Sequence, residues 1–247
     1  SASSIAENAG SSLTLTATIS QVADEDVTVN LGLAGTSTNG TDYSSLSSIT
    51  VTAGQLTGTA SFTPTDDSTY EGNETAIISI DSVSGADATE SGTQSVTITI
   101  TEDDAKPNIS FSSSTYSVDE GESTTITFNM SGYVAEDVYV GLGIITGSST
   151  AVRDVDYTLS TGSVTIPEGQ LSGTRTFVSI EDNIYEGDET SVVVITGIGG
   201  GSASPAVENG EQQATVTITE DESVPSITLS ASASSIAEEI VAKNYSA

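Results

Sequence analysis

Apolar and polar residues alternate with period two through most of this chain, in short β-branched runs, and no window carries a convincing helical period. Runs such as Ala60-Ser61-Phe62-Thr63 and Ala76-Ile77-Ile78-Ser79-Ile80 read as half-buried strands bounded by turn-forming Gly, Ser, Asn and Asp. In the C-terminal half the spacing predicts a first strand over 108–112 with 116–118. Six more follow over 123–130, 137–144, 163–167, 172–180, 190–197 and 213–220. Short strands separated by turn signals, about seven in roughly 110 residues, predict a seven-stranded antiparallel Greek-key sandwich of the immunoglobulin-like kind. Residues 238–247 carry no decisive pattern.

The pattern occurs twice. Gly54-Gln55-Leu56-Thr57-Gly58-Thr59 returns 115 residues later as Gly169-Gln170-Leu171-Ser172-Gly173-Thr174, and Tyr70-Glu71-Gly72 returns at the same offset as Tyr185-Glu186-Gly187. Asp42-Tyr43 matches Asp156-Tyr157, and Thr101-Glu102-Asp103 matches Thr219-Glu220-Asp221. Such end-to-end repetition is the mark of tandem modules. The expected fold class is therefore all-β, with one sandwich over residues 1–104 and a second over 105–222, each followed by a short proline linker (Lys106-Pro107 and Val224-Pro225). Residues 223–247 read as that linker plus the first strand of a third repeat, because Ser234-Ser235-Ile236-Ala237-Glu238 repeats Ser3-Ser4-Ile5-Ala6-Glu7. The first unit opens without residues matching 108–112, whereas the tail carries that strand as Ser226–Ser230. The tail is thus a candidate donor strand for the first unit of a neighbouring molecule, giving head-to-tail self-assembly.

Charge changes the picture. The sequence holds 35 acidic and 4 basic residues, a net charge of -31, so nucleic acid and anionic membrane surfaces are disfavoured partners. No apolar run approaches the ~20 residues of a membrane span, and membrane insertion is not expected. There is no cysteine to staple the units, which leaves a metal as the obvious clamp. His and Cys are both absent, removing the usual catalytic bases and thiol nucleophiles. A glycosidase-like carboxylate pair would need a sugar platform, normally tryptophan, and there is none. The chain is not expected to be an enzyme.

The acidic residues are not scattered. If successive strands alternate direction, the turns after strands one, three and five and the exit from strand seven share one pole. Glu7, Asp42, Asp66, Asp67, Glu71, Glu102, Asp103 and Asp104 then meet in the first unit. Glu120, Asp156, Glu181, Asp182, Glu186, Glu220, Asp221 and Glu222 meet in the second. Two carboxylates ~4 Å apart repel by about 4 kcal/mol at an effective dielectric of ~20. Ca²⁺ takes ~6 to 8 oxygen ligands in flexible geometry and would turn that repulsion into a staple. Mg²⁺ tolerates fewer protein ligands, and Zn²⁺ prefers the missing His and Cys. Acidic loops are ordinarily just solvated, but convergence in both copies favours calcium. Asp24-Glu25-Asp26 and Glu136-Asp137 fall at the opposite pole and read as solvated, and Tyr70 and Tyr185 as pins of the corner before strand six.

Taken together, the acidic turn after strand one, Asp-Tyr after strand three, Asp-Asp-x-x-Tyr-Glu-Gly-x-Glu before strand six and Thr-Val-Thr-Ile-Thr-Glu-Asp at the end resemble the Calx-beta domain. That family is a calcium-binding sandwich of sodium/calcium exchangers and of large bacterial surface proteins. The resemblance implies that Glu7, Asp42, Asp66, Asp67, Glu71, Asp103 and Asp104 occupy its ligand positions. Glu181 and Glu222, where the first unit has Asp66 and Asp104, depart from it. The expected function is a calcium-binding repeat of a secreted or cell-surface bacterial protein of adhesin or filament type. Its partners would be neighbouring repeats, and calcium would stiffen loops and interdomain junctions. The alternatives are a calcium-sensing regulatory pair and a ligand-binding adhesion module.

Overall fold

The computed structural model describes residues 3–160, 162–200, 205–210, 212–230, 232 and 238. The expectations placed on residues 234–237 and 239–247 lie outside them. The first unit comprises β1 (Ser3–Ala6), β2 (Leu13–Thr18), β3 (Val27–Gly35), β4 (Ser48–Val51), β5 (Thr57–Phe62), β6 (Thr69–Tyr70), β7 (Glu74–Ser84) and β8 (Ser95–Thr101). The second begins with β9 (Asn108–Phe111), β10 (Thr115–Asp119), β11 (Ser123–Met130), β12 (Tyr133–Val134), β13 (Val138–Ile144) and β14 (Tyr157–Leu159). It ends with β15 (Val164–Ile166), β16 (Ser172–Ser179), β17 (Glu189–Gly199), β18 (Val207–Glu208) and β19 (Gln213–Thr219). Among the described residues no helix is long and apolar enough to cross a membrane.

Alternation in the sequence becomes burial in the sheets. Ile126, Phe128 and Met130 of β11 point inward while Thr125 and Asn129 are exposed, and Ala214, Val216 and Ile218 of β19 face them from the other sheet. In the second unit the sheets run β10-β19-β17-β13-β15 and β14-β16-β11-β9-β18. The first unit has β1-β8-β7-β3-β4 against a two-stranded β2-β5 sheet.

The topology departs from a purely antiparallel seven-stranded reading. The predicted first strand splits at Ser112-Ser113-Ser114, so that β9 belongs to one sheet and β10 to the other. Having changed sheets, β10 lies parallel to β19, as β1 lies parallel to β8. Three short strands, β12, β14 and β18, arise inside stretches read as turns. Their pairing depends on distant partners, to which periodicity is blind.

The Asp-Tyr motif has a packing role. Tyr43 and Tyr157 are almost completely buried and stack on Phe62 and Phe177 with ring centroids 4.6 and 4.5 Å apart. Each ring anchors its loop in the core and leaves the preceding aspartate half-buried. The Gly-Gln-Leu-x-Gly-Thr motif turns the chain back from β4 into β5. A methyl group on Gly58 would lie 2.2 Å from the Thr50 carbonyl oxygen, whereas Gly54 has open space and a φ of +82°. Gly58→Ala is therefore expected to destabilise the first unit by about 2–3 kcal/mol through backbone overlap, and Gly54→Ala by only about 1 kcal/mol through its left-handed conformation. Urea unfolding of the two variants checks the order.

Candidate metal centre

The parallel pairing of each unit's first and last strands brings the acidic turns together. Glu7 follows β1 and donates its backbone N–H to the Thr101 carbonyl at the end of β8 (3.0 Å), and Glu120 does the same to Thr219 (3.2 Å). The turn after the first inward-packed strand is thereby held against the exit of the last. Glu7, Glu102 and Asp103 form one group of carboxylates, and Asp42, Glu71 and Glu74 a second. The other unit repeats the arrangement with Glu120, Glu220, Asp221 and Glu222, and with Asp156, Glu186 and Glu189. Glu74 and Glu189 are members that sequence reasoning missed. Each is the first residue of a long strand, three positions after the Glu of Tyr-Glu-Gly, so the motif did contain the signal.

Asp66, Asp67, Asp104, Glu181 and Asp182 stand beside these groups without joining them. Asp67 Oδ1 accepts the Thr69 N–H at 2.6 Å and Asp182 Oδ1 the Ile184 N–H at 2.6 Å, closing the turn that carries each loop. The charges of Asp66 and Asp67 still reach Asp104 and raise its pKa, after burial and the nearer Glu102 and Asp103. The opposite pole also departs from expectation. Asp26 accepts the Ala53 N–H at 2.8 Å and Asp137 the Glu168 N–H at 2.9 Å, so these aspartates cap the turn between the fourth and fifth strands rather than being merely solvated.

One glutamate in each unit organises the pole. Glu102 Oε2 accepts the N–H groups of Glu71 (2.6 Å) and Gly72 (2.7 Å), while its Oε1 accepts those of Asp103 (3.0 Å) and Asp104 (2.8 Å). Glu220 does likewise with Glu186 (2.5 Å), Gly187 (2.7 Å) and Glu222 (3.0 Å). These amide donors hold the Glu220 carboxyl down to about 2. Gly72 and Gly187, at φ +76° and +81°, supply the left-handed bend that turns two successive N–H groups toward one oxygen.

The remaining carboxylates face the reverse problem. Burial, then the charges of Glu102 and Asp67, pushes Glu7 up to about 7, and only 6% of that residue is exposed. Burial followed by Asp42 pushes Glu71 up to about 7 and Glu74 up to about 8. Glu189 rises to about 7 for the same reasons, with Asp156 in the place of Asp42. Glu222 is lifted to about 7 first by a proton shared with Glu220, and its Oε2 is buried without a hydrogen-bond partner.

This donor set fits Ca²⁺. Within each group one oxygen per residue lies within 4.8 Å of the others. Ligands ~2.4 Å from a shared ion can be no more than ~4.8 Å apart. All the donors are oxygen, and the protons that burial and mutual repulsion favour are the ones a divalent cation would displace.

The acidic loop of the first unit also reaches the second unit. Tyr70, in β6, pairs with β12 of the second unit (Thr69 with Tyr133, Tyr70 with Val134) and packs against the second unit's hydrophobic core. The Lys106 ammonium sits 5.8 Å from its ring centroid. Tyr185, its twin, is 40% exposed. Tyr70 is thus an interdomain anchor rather than a pin of its own corner.

Solved structures similar to the chain include CBD12 from CALX1.2 (16% identity, TM-score 0.41, covering 88% of this chain and 96% of that one). The calcium binding domain CBD12 of CALX1.1 is also similar (15% identity, TM-score 0.39, 87% and 96% covered). So is the apo form of the Calx CBD1 domain (20% identity, TM-score 0.41, 48% and 100% covered). No curated protein matches the sequence. The family model described as the Calx-beta domain matches twice, over residues 2–104 and 102–222. The chain therefore belongs to the Calx-beta family of calcium-binding modules, and carries two of them in tandem.

Proposed function

We propose that the chain is a calcium-stiffened spacer, two rigid modules of a repetitive protein displayed outside the cell. One observation carries this reading. The loop that holds Glu71 in the first unit's acidic group also holds Tyr70 on the core of the second unit, and Glu102 ties that loop to the strand leading into the linker. An ion bound by Asp42, Glu71 and Glu74 would fix the loop from one side, and one bound by Glu7, Glu102 and Asp103 would fix the exit strand from the other. The joint between units is then stiff only when metal is present.

The surplus of acidic over basic residues supports an extracellular setting, where calcium is plentiful and weak sites fill. The carboxylate groups have a structural use as metal ligands, and no catalytic role is assigned to them.

The absence of native cysteine makes the test clean. Spin labels on cysteines introduced at the exposed Gln55 and Gln170 report the distance between units. Calcium is expected to narrow the distance distribution at least twofold, and a chelator to broaden it again. Tyr70→Ala should remove the narrowing while leaving calcium uptake by the first unit in place. A shift of the mean distance with no change in width would instead favour the sensor reading.

A further inference from the structure

The two units differ in the loop that carries the Asp-Tyr motif. In the first, β3 ends at Gly35 and the chain turns at once, the Thr36 and Ser37 N–H groups both donating to the Thr75 carbonyl (2.9 and 3.1 Å). Asn39 then closes the loop. Its side-chain amide donates to the Leu46 carbonyl at 3.0 Å and accepts the Leu46 N–H at 2.8 Å. In the second unit Thr150 and Ala151 make the same two bonds to Thr190, but only after an added turn of 3-10 helix, Thr146–Ser148. Ser149 fixes that turn, donating its hydroxyl to the Ile145 carbonyl and accepting the Val192 N–H, both at 2.9 Å. Arg153 bridges to Tyr157 as Asn39 does to Tyr43, so an arginine replaces the amide clamp.

The altered loop walls a cavity of about 430 Å³, within the ~300 to 1,000 Å³ of small-molecule sites. Leu142, Ile144, Ala151, Val152 and Leu159 make it apolar. The lining also includes the fully buried Tyr157, whose hydroxyl has no hydrogen-bond partner, a costly state for a phenol. Arg153 lines the cavity too, with its side chain 37% exposed. Its ion pair among the described residues is a loose one. Asp154 Oδ1 lies 3.9 Å from Nε, beyond hydrogen-bond distance, and the guanidinium keeps its donors.

A second cation stands close by. Arg175 lies on the same face of β16 as the buried Phe177, at the position where the first unit has Ala60. Its Nη2 donates to the Gly162 and Ser163 carbonyls at 2.6 Å, just beyond the lining residue Ser160, and its buried Nε has no partner. Two of the 4 basic residues in the sequence thus serve one corner of the second unit.

We propose that this cavity binds a small monocarboxylic acid with an apolar body, of the medium-chain fatty-acid class. The alkyl part lies against Leu142, Ile144 and Leu159, and the carboxylate takes the parallel N–H donors of Arg153. Charge complementarity selects the head group. On a chain of net charge -31 an anion is repelled almost everywhere, and a loosely paired guanidinium beside an apolar cavity is the exception. The acidic groups of the same loop do not cancel it. Asp154 is 74% exposed and screened by water, while Asp156 accepts the Val152 N–H and belongs with Glu186 and Glu189 in a group suited to a cation. In the first unit Asn39 and Ala60 supply no such charge, and no binding is expected there.

The test titrates octanoate into the full chain in millimolar calcium and follows amide and methyl NMR shifts. One octanoate per chain is expected, with shifts centred on Leu142, Ile144, Ala151 and Leu159. Octylammonium, the same body with the opposite charge, should bind these residues about tenfold more weakly, although the chain's net charge of -31 draws it to the surface elsewhere. Arg153→Gln should weaken octanoate about tenfold and leave neutral octanol unchanged, a split that a merely structural arginine would not give. Ala151→Leu, which fills the cavity, should abolish octanoate binding in a chain whose cooperative melt shows that it is folded. Shifts spread over the surface, a preference for octylammonium at the same residues, or an Arg153→Gln chain that binds octanoate as the parent does would each overturn the proposal. So would the lack of any shift up to the solubility of octanoate. Neither substituted residue belongs to a carboxylate group, so each of these failures leaves the calcium reading, tested by spin-label distances, untouched.

Discussion

Chelation is expected to lower the melting temperature of the first unit by about 20 °C. A site at a hundred times its dissociation constant contributes about 2.7 kcal/mol through mass action. The unit has two carboxylate groups suited to a cation, which gives about 5 kcal/mol. For a domain of roughly a hundred residues each kcal/mol moves the midpoint by about 4 °C or more. Differential scanning calorimetry in millimolar calcium and in excess chelator measures the gap. Two substitutions separate ion binding from simple architecture. Glu71→Gln removes a ligand and also a repelling charge, so it should lower the midpoint in calcium and raise it in chelator. Glu102→Ala removes the acceptor of four backbone N–H groups and should destabilise under both conditions, by about 3 kcal/mol. A wild-type midpoint indifferent to chelator would refute calcium as the organiser of this pole.

The sequence was a good guide to the modules and to the pole at which their carboxylates gather. Repetition at a fixed offset and period-two burial are local signals, and strand direction alone brings the acidic turns of distant strands to one end. It was a poorer guide to which acids come within reach of one another. Glu74 and Glu189 belong to the groups because the first residue of a strand can still reach back into the preceding loop. Asp67 and Asp182 stand aside, each with one oxygen on the N–H two residues further along its own turn. The tyrosines illustrate the same limit. Tyr70 and Tyr185 sit in matching motifs, yet among the described residues Tyr70 packs on a second unit's core while Tyr185 is 40% exposed. The plug of each unit is the tyrosine of Asp-Tyr, and its role depends on a stacking partner on another strand. Repeated sequence specifies repeated modules, whereas a motif's contact with a neighbouring unit is not written in the motif itself.

The pH dependence of stability should change sign with calcium. Without metal, Glu7, Glu71 and Glu74 titrate at about 7, 7 and 8 in the folded first unit, each from an ordinary value of 4.5. Between pH 4.5 and those values the native state holds protons that the unfolded chain has released, so unfolding becomes easier as pH rises. Their contribution is fully present below pH 4.5 and gone by about pH 8. After allowance for solvent screening each group is worth about 1 kcal/mol, and the three together about 3 kcal/mol. Glu220 in the second unit has the opposite sign, but its stabilisation fades only as pH falls toward about 2, outside this window. With calcium saturating, the same carboxylates must be ionised to bind, so acid competes with metal and stability climbs with pH. The melting curves in chelator and in calcium should therefore converge near pH 4.5 and diverge by pH 8, the first falling and the second rising. Proton release on calcium addition at pH 6.5, read from the buffer dependence of the binding enthalpy, gives an independent measure of the same carboxyl groups. A chelated protein whose midpoint holds level or climbs across that interval would mean that the carboxylates are already relaxed apart, and that no cation is needed to hold them.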